Sequence, residues 1–99
     1  MAIMEISVVP LGTGQTGVGE YVARIINYLK QNGIPHTLTD MGTILEGDID
    51  QLLGVARVLH ELPFHENVQR VVTHIAIDDR RDRKVHLDDK IKAVSQRLS

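Results

Sequence analysis

The segment HTLTDMGTILEG, residues 36–47, decides the fold because it predicts two strands joined by a tight turn. Residues 36–41 alternate imperfectly between apolar and polar side chains, which is typical of a half-exposed strand. Gly42 permits a tight turn, and residues 43–46 form a second short strand that ends at Gly47. A hairpin here makes the sheet antiparallel, whereas a parallel nucleotide-binding sheet needs a crossover connection.

The residues on either side of this hairpin predict two longer strands and three helices. Alternation of apolar residues predicts strands over residues 3–11 and 70–78. Helical spacing of apolar residues predicts helices over residues 16–32, 48–62 and 87–98. We expect Thr16 and Asp48 to cap the first two helices, with Gln51 completing a capping box at the second. Pro10 has no N–H to donate, so regular strand pairing should falter there.

The predicted order is β-α-β-β-α-β followed by a terminal helix, which is the ferredoxin-like split arrangement of an α+β fold. A single domain spans residues 1–99, because 99 residues leave little room for a second. Two helices cover one face of the antiparallel sheet, so the far face meets solvent, the third helix or a partner. The side chains assigned to the far face are small or semi-polar: Ser7, Val9, Thr37, Thr39, His74 and Ala76. This mixture favours a surface shared with another subunit.

The composition excludes several classes of protein. Lys and Arg number 11 against 13 Asp and Glu, and aromatic residues make up only 3%, so the basic surface and stacking platforms of a nucleic-acid binder are missing. The chain has no cysteine, which removes disulfides, thiol catalysis and cysteine-ligated metals. No apolar run reaches the roughly 18 residues that span a bilayer, and the first residues lack the basic start of a signal peptide. We therefore expect a cytoplasmic protein that contacts neither nucleic acid nor membrane.

A glycine-rich loop, GTGQTGVG at residues 12–19, has the spacing of a dinucleotide-binding loop. Such glycines let backbone N–H groups approach a phosphate at a helix N-terminus. The hairpin that follows and the short chain argue against a dinucleotide-binding fold. An anion or nucleotide site that uses the 12–17 loop and the helix start at Thr16, with Arg80 or Arg81 as a clamp, stays open as an alternative.

The sequence predicts no metal site and no catalytic nucleophile. The five histidines are spread along the chain without the spacing of metal ligands, and no Ser/His/Asp signature is present. Three carboxylates cluster around a glycine, and the start of a helix explains Asp48 and Asp50. Glu46 has no such role, because it ends a strand that should be partly buried. Glu46 is therefore our first candidate for contacting a ligand.

Four blocks of the sequence together resemble the small thiamine-binding-protein family. They are ISVVPLGTG at 6–14, VGEYVARI at 18–25, LTDMGTILEGD at 38–48 and RVVTHIAIDDRRDRK at 70–84. The motifs MGT-x-x-EGD and I-D-x-R-x-D are their most specific parts. The resemblance implies a ferredoxin-like fold in dimers that commonly form tetramers, and no established catalysis. It also implies binding of thiamine, or of its hydroxymethylpyrimidine portion, near the subunit contacts.

The side chains suit such a ligand, because its thiazolium ring is cationic and its aminopyrimidine both donates and accepts hydrogen bonds. Glu46 would accept from the amine or balance the cation. The other candidate ligand-binding residues supply hydroxyls or a soft apolar wall: Ser7, Thr13, Thr39, Thr43 and Met41. Asp40 departs from the family pattern, in which a proline usually precedes MGT, and an extra carboxylate there would change ligand selectivity.

The sequence thus predicts a non-enzymatic homo-oligomer, a homodimer assembling into a homotetramer, that binds thiamine or a thiamine-related pyrimidine as a carrier or sensor. Thiamine is the ligand here, and no cofactor is expected. Two alternatives belong to other classes. One is the anion or nucleotide binder of the 12–17 loop. The other is a purely structural or regulatory oligomer whose sheet face binds only protein, for which Thr39→Arg should dissociate the assembly.

Overall fold

The computed structural model describes residues 1–98, which form one antiparallel sheet and three α-helices. The elements in chain order are β1 (Ala2–Leu11), α1 (Gly19–Gln31), β2 (His36–Leu38), β3 (Thr43–Gly47), α2 (Ile49–Glu61), β4 (Arg70–Asp79) and α3 (Asp89–Arg97). A 3-10 helix, Leu62–Glu66, follows α2. The strands lie in the order β2-β3-β1-β4, and each neighbouring pair is antiparallel. The predicted ferredoxin-like α+β fold is confirmed.

The core lies between the sheet and helices α1 and α2. Every second side chain of β1 is buried, because alternate residues of a strand point to opposite faces. The largest fully buried side chains come from strands and helices alike: Met4, Ile6, Leu29, Leu45, Leu52, Leu59 and Pro63. Truncating one such leucine to alanine would cost roughly 2–5 kcal/mol. Packing in this core fixes the relative positions of β1, β3 and α1.

The two long helices begin in different ways. Asp48 caps α2 as predicted, with its Oδ1 accepting from the backbone N–H of Gln51 at 2.8 Å. The prediction for α1 is wrong in its first turn, since the helix begins at Gly19, after Val18, and no side chain caps it. Thr16 lies outside the helix, in the glycine-rich loop, where Gly12 and Gly14 adopt the left-handed backbone that glycine takes without strain.

β1 continues through Pro10, so the expectation that pairing falters there is wrong. Pro10 lies opposite Val71, and β4 stays in register along the whole of β1. The carbonyl oxygen of Ile6 comes within 3.0 Å of an ideal β-carbon on Gly42, so the backbone groups of Ile6 point towards β3. The backbone groups of Pro10 point to the same side, because direction alternates along a strand. Since β3 does not extend that far, the N–H that proline lacks has no strand partner to lose.

The connection between β2 and β3 is longer than predicted, because β2 ends at Leu38. Residues 39–42 form the turn, in which the hydroxyl and the N–H of Thr39 both donate to the Gly42 carbonyl at 2.8 Å. Thr39 is therefore a turn residue, and its assignment to the far face of the sheet is wrong. The register confirms the other far-face residues: Ser7, Val9, Thr37, His74 and Ala76.

The third helix, α3, follows β4 and the charged turn. Within the described residues no other helix or strand packs broadly against it. Its apolar stripe is consequently exposed at Ile91, Val94 and Leu98. Like every helix in residues 1–98, α3 lacks the length and apolar character needed to cross a membrane.

Candidate functional site

A cleft of about 760 Å³ opens where β1 runs past the end of β3. β3 pairs with β1 only as far as Ile6, whereas β4 pairs with β1 as far as Leu11. Beyond Ile6, the open edge of β1 therefore faces α1 on one side and the β2–β3 turn on the other. The volume of the cleft lies in the range typical of small-molecule sites.

The walls of the cleft are largely apolar. Val22 and Ile26 of α1 line one wall, and Leu38 and Met41 line the other. Leu38 is 53% exposed and Met41 is 83% exposed, which leaves much apolar surface uncovered beside the cleft. A flat ring inserted between these walls would remove that surface from water, which is the dominant favourable term in most binding.

Thr43 supplies a hydroxyl at the inner end of this apolar space. The residue is 4% exposed, and its hydroxyl has no hydrogen-bond partner within residues 1–98. Since no fully buried side-chain polar atom in that range lacks a partner, the hydroxyl must reach the surface of the cleft. Asn27 and Asp40 add polar groups around the cleft. A few polar groups in an apolar cleft fix the orientation of a ligand.

Four of the six predicted ligand-binding residues line this cleft: Ser7, Thr39, Met41 and Thr43. Ser7 differs from the other three, because its side chain lies on the far face of the sheet. The fold brings them together from β1, the β2–β3 turn and the start of β3. Thr13 lies instead beside a second cavity, of about 530 Å³, which Tyr21 and Arg70 also line. The hydroxyl of Thr13 donates to the carbonyl of Gln15 and accepts from its N–H, both at 3.2 Å. That hydroxyl therefore stabilises the loop.

Glu46 lies outside the cleft, on the face of the sheet opposite to α1 and α2. Its side chain is only 11% exposed. Its Oε1 accepts from Nδ1 of His86 at 2.7 Å and from the N–H of Leu87 at 3.1 Å. Glu46 thus holds the segment that leads into α3 against the sheet. This arrangement does not provide a contact between Glu46 and a ligand in the cleft.

The glycine-rich loop and the arginines of the charged turn lie at opposite ends of β1 and β4. The loop follows Leu11, whereas Arg80 and Arg81 follow Asp79, which pairs with Ala2. A strand rises about 3.3 Å per residue, so the two ends are separated by about 30 Å. The structure therefore does not assemble the loop and the arginines into one phosphate site.

Both arginines of this turn also have partners of their own. Arg80 Nε donates to Asp82 at 2.6 Å, and Arg81 Nη2 donates to Asp79 at 2.8 Å. These hydrogen bonds hold the pKa of each aspartate below its usual value. The structural interpretation of the charged turn, in which its charges pair with one another, fits this geometry.

The sequence did not point to the contribution of α1 to the cleft. Most of its apolar residues share one helical stripe, which predicts a buried face. In the structure only Ile25 and Leu29 of this helix are fully buried, whereas Val22 and Ile26 are partly exposed and line the cleft. One feature of the sequence does indicate this exposed part of α1. The first predicted strand is much longer than the third, so part of α1 has no sheet beneath it.

The comparisons with known proteins agree with this fold and with the resemblance. A family model described as thiamine-binding protein matches residues 4–95. A UPF0045 protein from Staphylococcus xylosus is 43% identical over 103 residues, which cover 100% of this chain and 96% of the relative. The UPF0045 protein YqgV from Bacillus subtilis is 39% identical over 102 residues, which cover 99% and 98% of the two chains.

Two solved structures show the same architecture. A Methanocaldococcus jannaschii protein, 34% identical, superimposes with a TM-score of 0.85 over 96% of each chain. A Thermotoga maritima protein, described as a candidate thiamine biosynthesis/salvage protein, superimposes with a TM-score of 0.77 at 18% identity, over 94% of this chain and 97% of that one. With the family model matching most of its length, the chain belongs to the thiamine-binding protein family.

Proposed function

We propose that the protein binds thiamine or a thiamine-related pyrimidine in the cleft between β1, α1 and the β2–β3 turn, as a carrier or sensor. The observation that carries this proposal is the Thr43 hydroxyl, which opens without a partner into a largely apolar cleft of about 760 Å³. Membership of the thiamine-binding family and the description of the Thermotoga maritima relative support this class of ligand.

Aliphatic side chains take the place of an aromatic stack in this proposal. The chain has few aromatic residues, and none lines the cleft. A pyrimidine ring would lie between Ile26 on one wall and Leu38 and Met41 on the other, where its faces displace water. Asp40 at the cleft would balance the positive charge of the thiazolium ring, which the pyrimidine portion alone does not carry.

Binding without catalysis fits the composition of the cleft. None of the five histidines lines it, and among residues 1–98 Asp40 is the one titratable side chain that does. A hydroxyl needs an adjacent base to become a nucleophile, and Thr43 has no histidine or lysine beside it in the cleft.

A self-associated state, with a homodimer assembling into a homotetramer, is part of the proposal. A chain of this size buries a limited fraction of its surface by itself. The apolar stripe of α3 and the exposed Val9 and Leu11 at the far face are surface that a second copy would cover.

Isothermal titration calorimetry tests the ligand assignment. Thiamine and 4-amino-5-hydroxymethyl-2-methylpyrimidine should both release or absorb measurable heat with the purified protein. Thr43→Val, which keeps the shape but removes the hydroxyl, should weaken binding about tenfold, because a ligand polar group loses its partner. Thr13→Val is the matched control and should bind normally, since Thr13 lies beside the other cavity. No heat with either compound would overturn the proposal.

A further inference from the structure

The backbone of β1 carries an open donor and acceptor inside the cleft. The carbonyl of Ile6 points towards β3, because it nearly touches the position of a β-carbon on Gly42. Backbone direction alternates along a strand, so the N–H and C=O of Val8 point to the same side as those of Ile6. Ile6 is paired with Thr43, but β3 ends its pairing there, and Val8 therefore faces the cleft.

The other side of β1 agrees with this orientation. β4 stays in unbroken register from Ala2 to Leu11, so Ser7 and Val9 direct their backbone groups towards His74 and Val72. No backbone hydrogen bond outside the strand ladders involves Val8 within residues 1–98. The Val8 side chain is 5% exposed in the core, which holds this length of backbone in place. The two open groups are therefore preorganised.

We infer that Val8 recognises the amino-substituted edge of the ligand ring, with its C=O accepting from the exocyclic amine and its N–H donating to the adjacent ring nitrogen. This inference rests on the proposed function for the presence of a pyrimidine in the cleft. The class of ligand it defines is a planar heterocycle that carries an amino group on the carbon next to an unprotonated ring nitrogen. That edge presents one donor next to one acceptor, as the backbone of a neighbouring strand would.

The same geometry disfavours anionic ligands at this edge. A phosphate or carboxylate presents only acceptors, so it would satisfy the N–H of Val8 and leave the C=O of Val8 facing another acceptor. The thiazolium ring lacks a donor beside an acceptor, so this edge selects the pyrimidine end of thiamine. The thiazolium end then lies towards the mouth of the cleft.

Amide hydrogen exchange in the free protein tests the orientation of β1. The Val8 amide should exchange at least tenfold faster than the amides of Ser7 and Val9, which are paired with β4. The Ile75 amide is the reference for an open strand amide outside the cleft, because the register directs it to the outer edge of β4. Equal protection of the three β1 amides would overturn the inference without touching the proposed function.

Ligand addition separates the two proposals. Saturating 4-amino-5-hydroxymethyl-2-methylpyrimidine should slow exchange of the Val8 amide at least tenfold and leave the Ile75 amide unchanged. The analogue 5-hydroxymethyl-2-methylpyrimidine, which lacks the amine, should bind roughly tenfold more weakly, because the Val8 carbonyl is left without a donor. Equal binding of both compounds with no change at Val8 would overturn the inference alone. Binding of neither thiamine nor 4-amino-5-hydroxymethyl-2-methylpyrimidine would overturn the proposed function.

Discussion

The carbonyl oxygen of Ile6 lies 3.0 Å from the position that a β-carbon on Gly42 would occupy. The same β-carbon would come within 3.4 Å of the side chain of Glu5. A backbone oxygen moves aside less readily than the end of a flexible side chain, so a side chain at residue 42 would crowd the contact between β1 and the β2–β3 turn. This contact sets the position of the turn that walls one side of the cleft.

Gly42→Ala should lower the free energy of unfolding by about 1–3 kcal/mol, because the added methyl group overpacks this contact. Gly54→Ala is the control, since a β-carbon at that exposed position in α2 meets nothing within 4 Å. It should instead raise the stability by about 0.5–1 kcal/mol through better helix propensity. Urea denaturation measures both changes. A Gly42→Ala protein with the wild-type midpoint would contradict the close approach.

Asp40→Asn should weaken thiamine binding by about two- to fivefold and leave the affinity for 4-amino-5-hydroxymethyl-2-methylpyrimidine unchanged. Asp40 is exposed, so its attraction for the thiazolium cation is limited to the roughly 0–1 kcal/mol of a solvated ion pair. The difference should shrink at high ionic strength because salt screens exposed charges. Calorimetry at two salt concentrations provides the measurement. An equal loss for both ligands would instead assign Asp40 a role in the shape of the turn.

Glu46→Ala should release the segment that leads into α3, because both of its hydrogen bonds to residues 86 and 87 are lost. Backbone 15N relaxation of residues 86–97 should show increased fast motion, while the affinity for the pyrimidine stays at the wild-type value. His86→Ala, which removes one of the two bonds, should have a smaller effect on the same residues. If affinity falls while α3 keeps its wild-type relaxation, Glu46 contacts the ligand directly.

Ile91→Glu should shift the protein towards smaller species in sedimentation equilibrium, because it places a charge in the exposed apolar stripe of α3. Gln96→Glu adds the same charge to the same helix outside that stripe and should leave the assembly intact. A wild-type protein that sediments as a monomer at micromolar concentration would contradict the proposed self-association.

Arg81→Gln should raise the pKa of Asp79, whose carboxylate is held below its usual value mainly by the hydrogen bond from Arg81. Because the folded-state pKa is the lower one, this pair stabilises the fold above the unfolded value of about 3.9 and loses that effect as pH falls through the folded-state pKa. Carbon-13 NMR titration of the carboxyl groups measures the shift. Asp82, paired with Arg80, is the internal reference and should keep its lowered pKa.

The prediction of the fold from local patterns succeeded where neighbouring residues determine structure. The hairpin around Gly42 and the apolar spacing of α1 and α2 were visible in short windows of sequence. The cap at Asp48 was also visible, since it involves residues three apart. The prediction is wrong at Thr16, because the glycine-rich loop continues to Val18 and α1 begins at Gly19.

The sequence indicates only part of the candidate site. The chemistry of Ser7, Thr39, Met41 and Thr43 suggests them as ligand-binding residues, and the fold places all four around one cleft. The cleft itself exists because β1 is longer than β3, and a periodic pattern does not report where the pairing between two strands stops. Glu46 illustrates the same limit, since its partner His86 is 40 residues away in the chain.

The sequence by itself determined the order of the elements and the antiparallel hairpin, because these follow from the periodicity and turn chemistry of adjacent residues. Only the tertiary structure decided which polar groups meet. Strand register and the relative lengths of β1 and β3 leave the backbone of Val8 facing the cleft. On the far face of the sheet, Glu46 accepts a hydrogen bond from His86 in the segment before α3. These are contacts between distant residues, and their geometry arises only when the elements pack together.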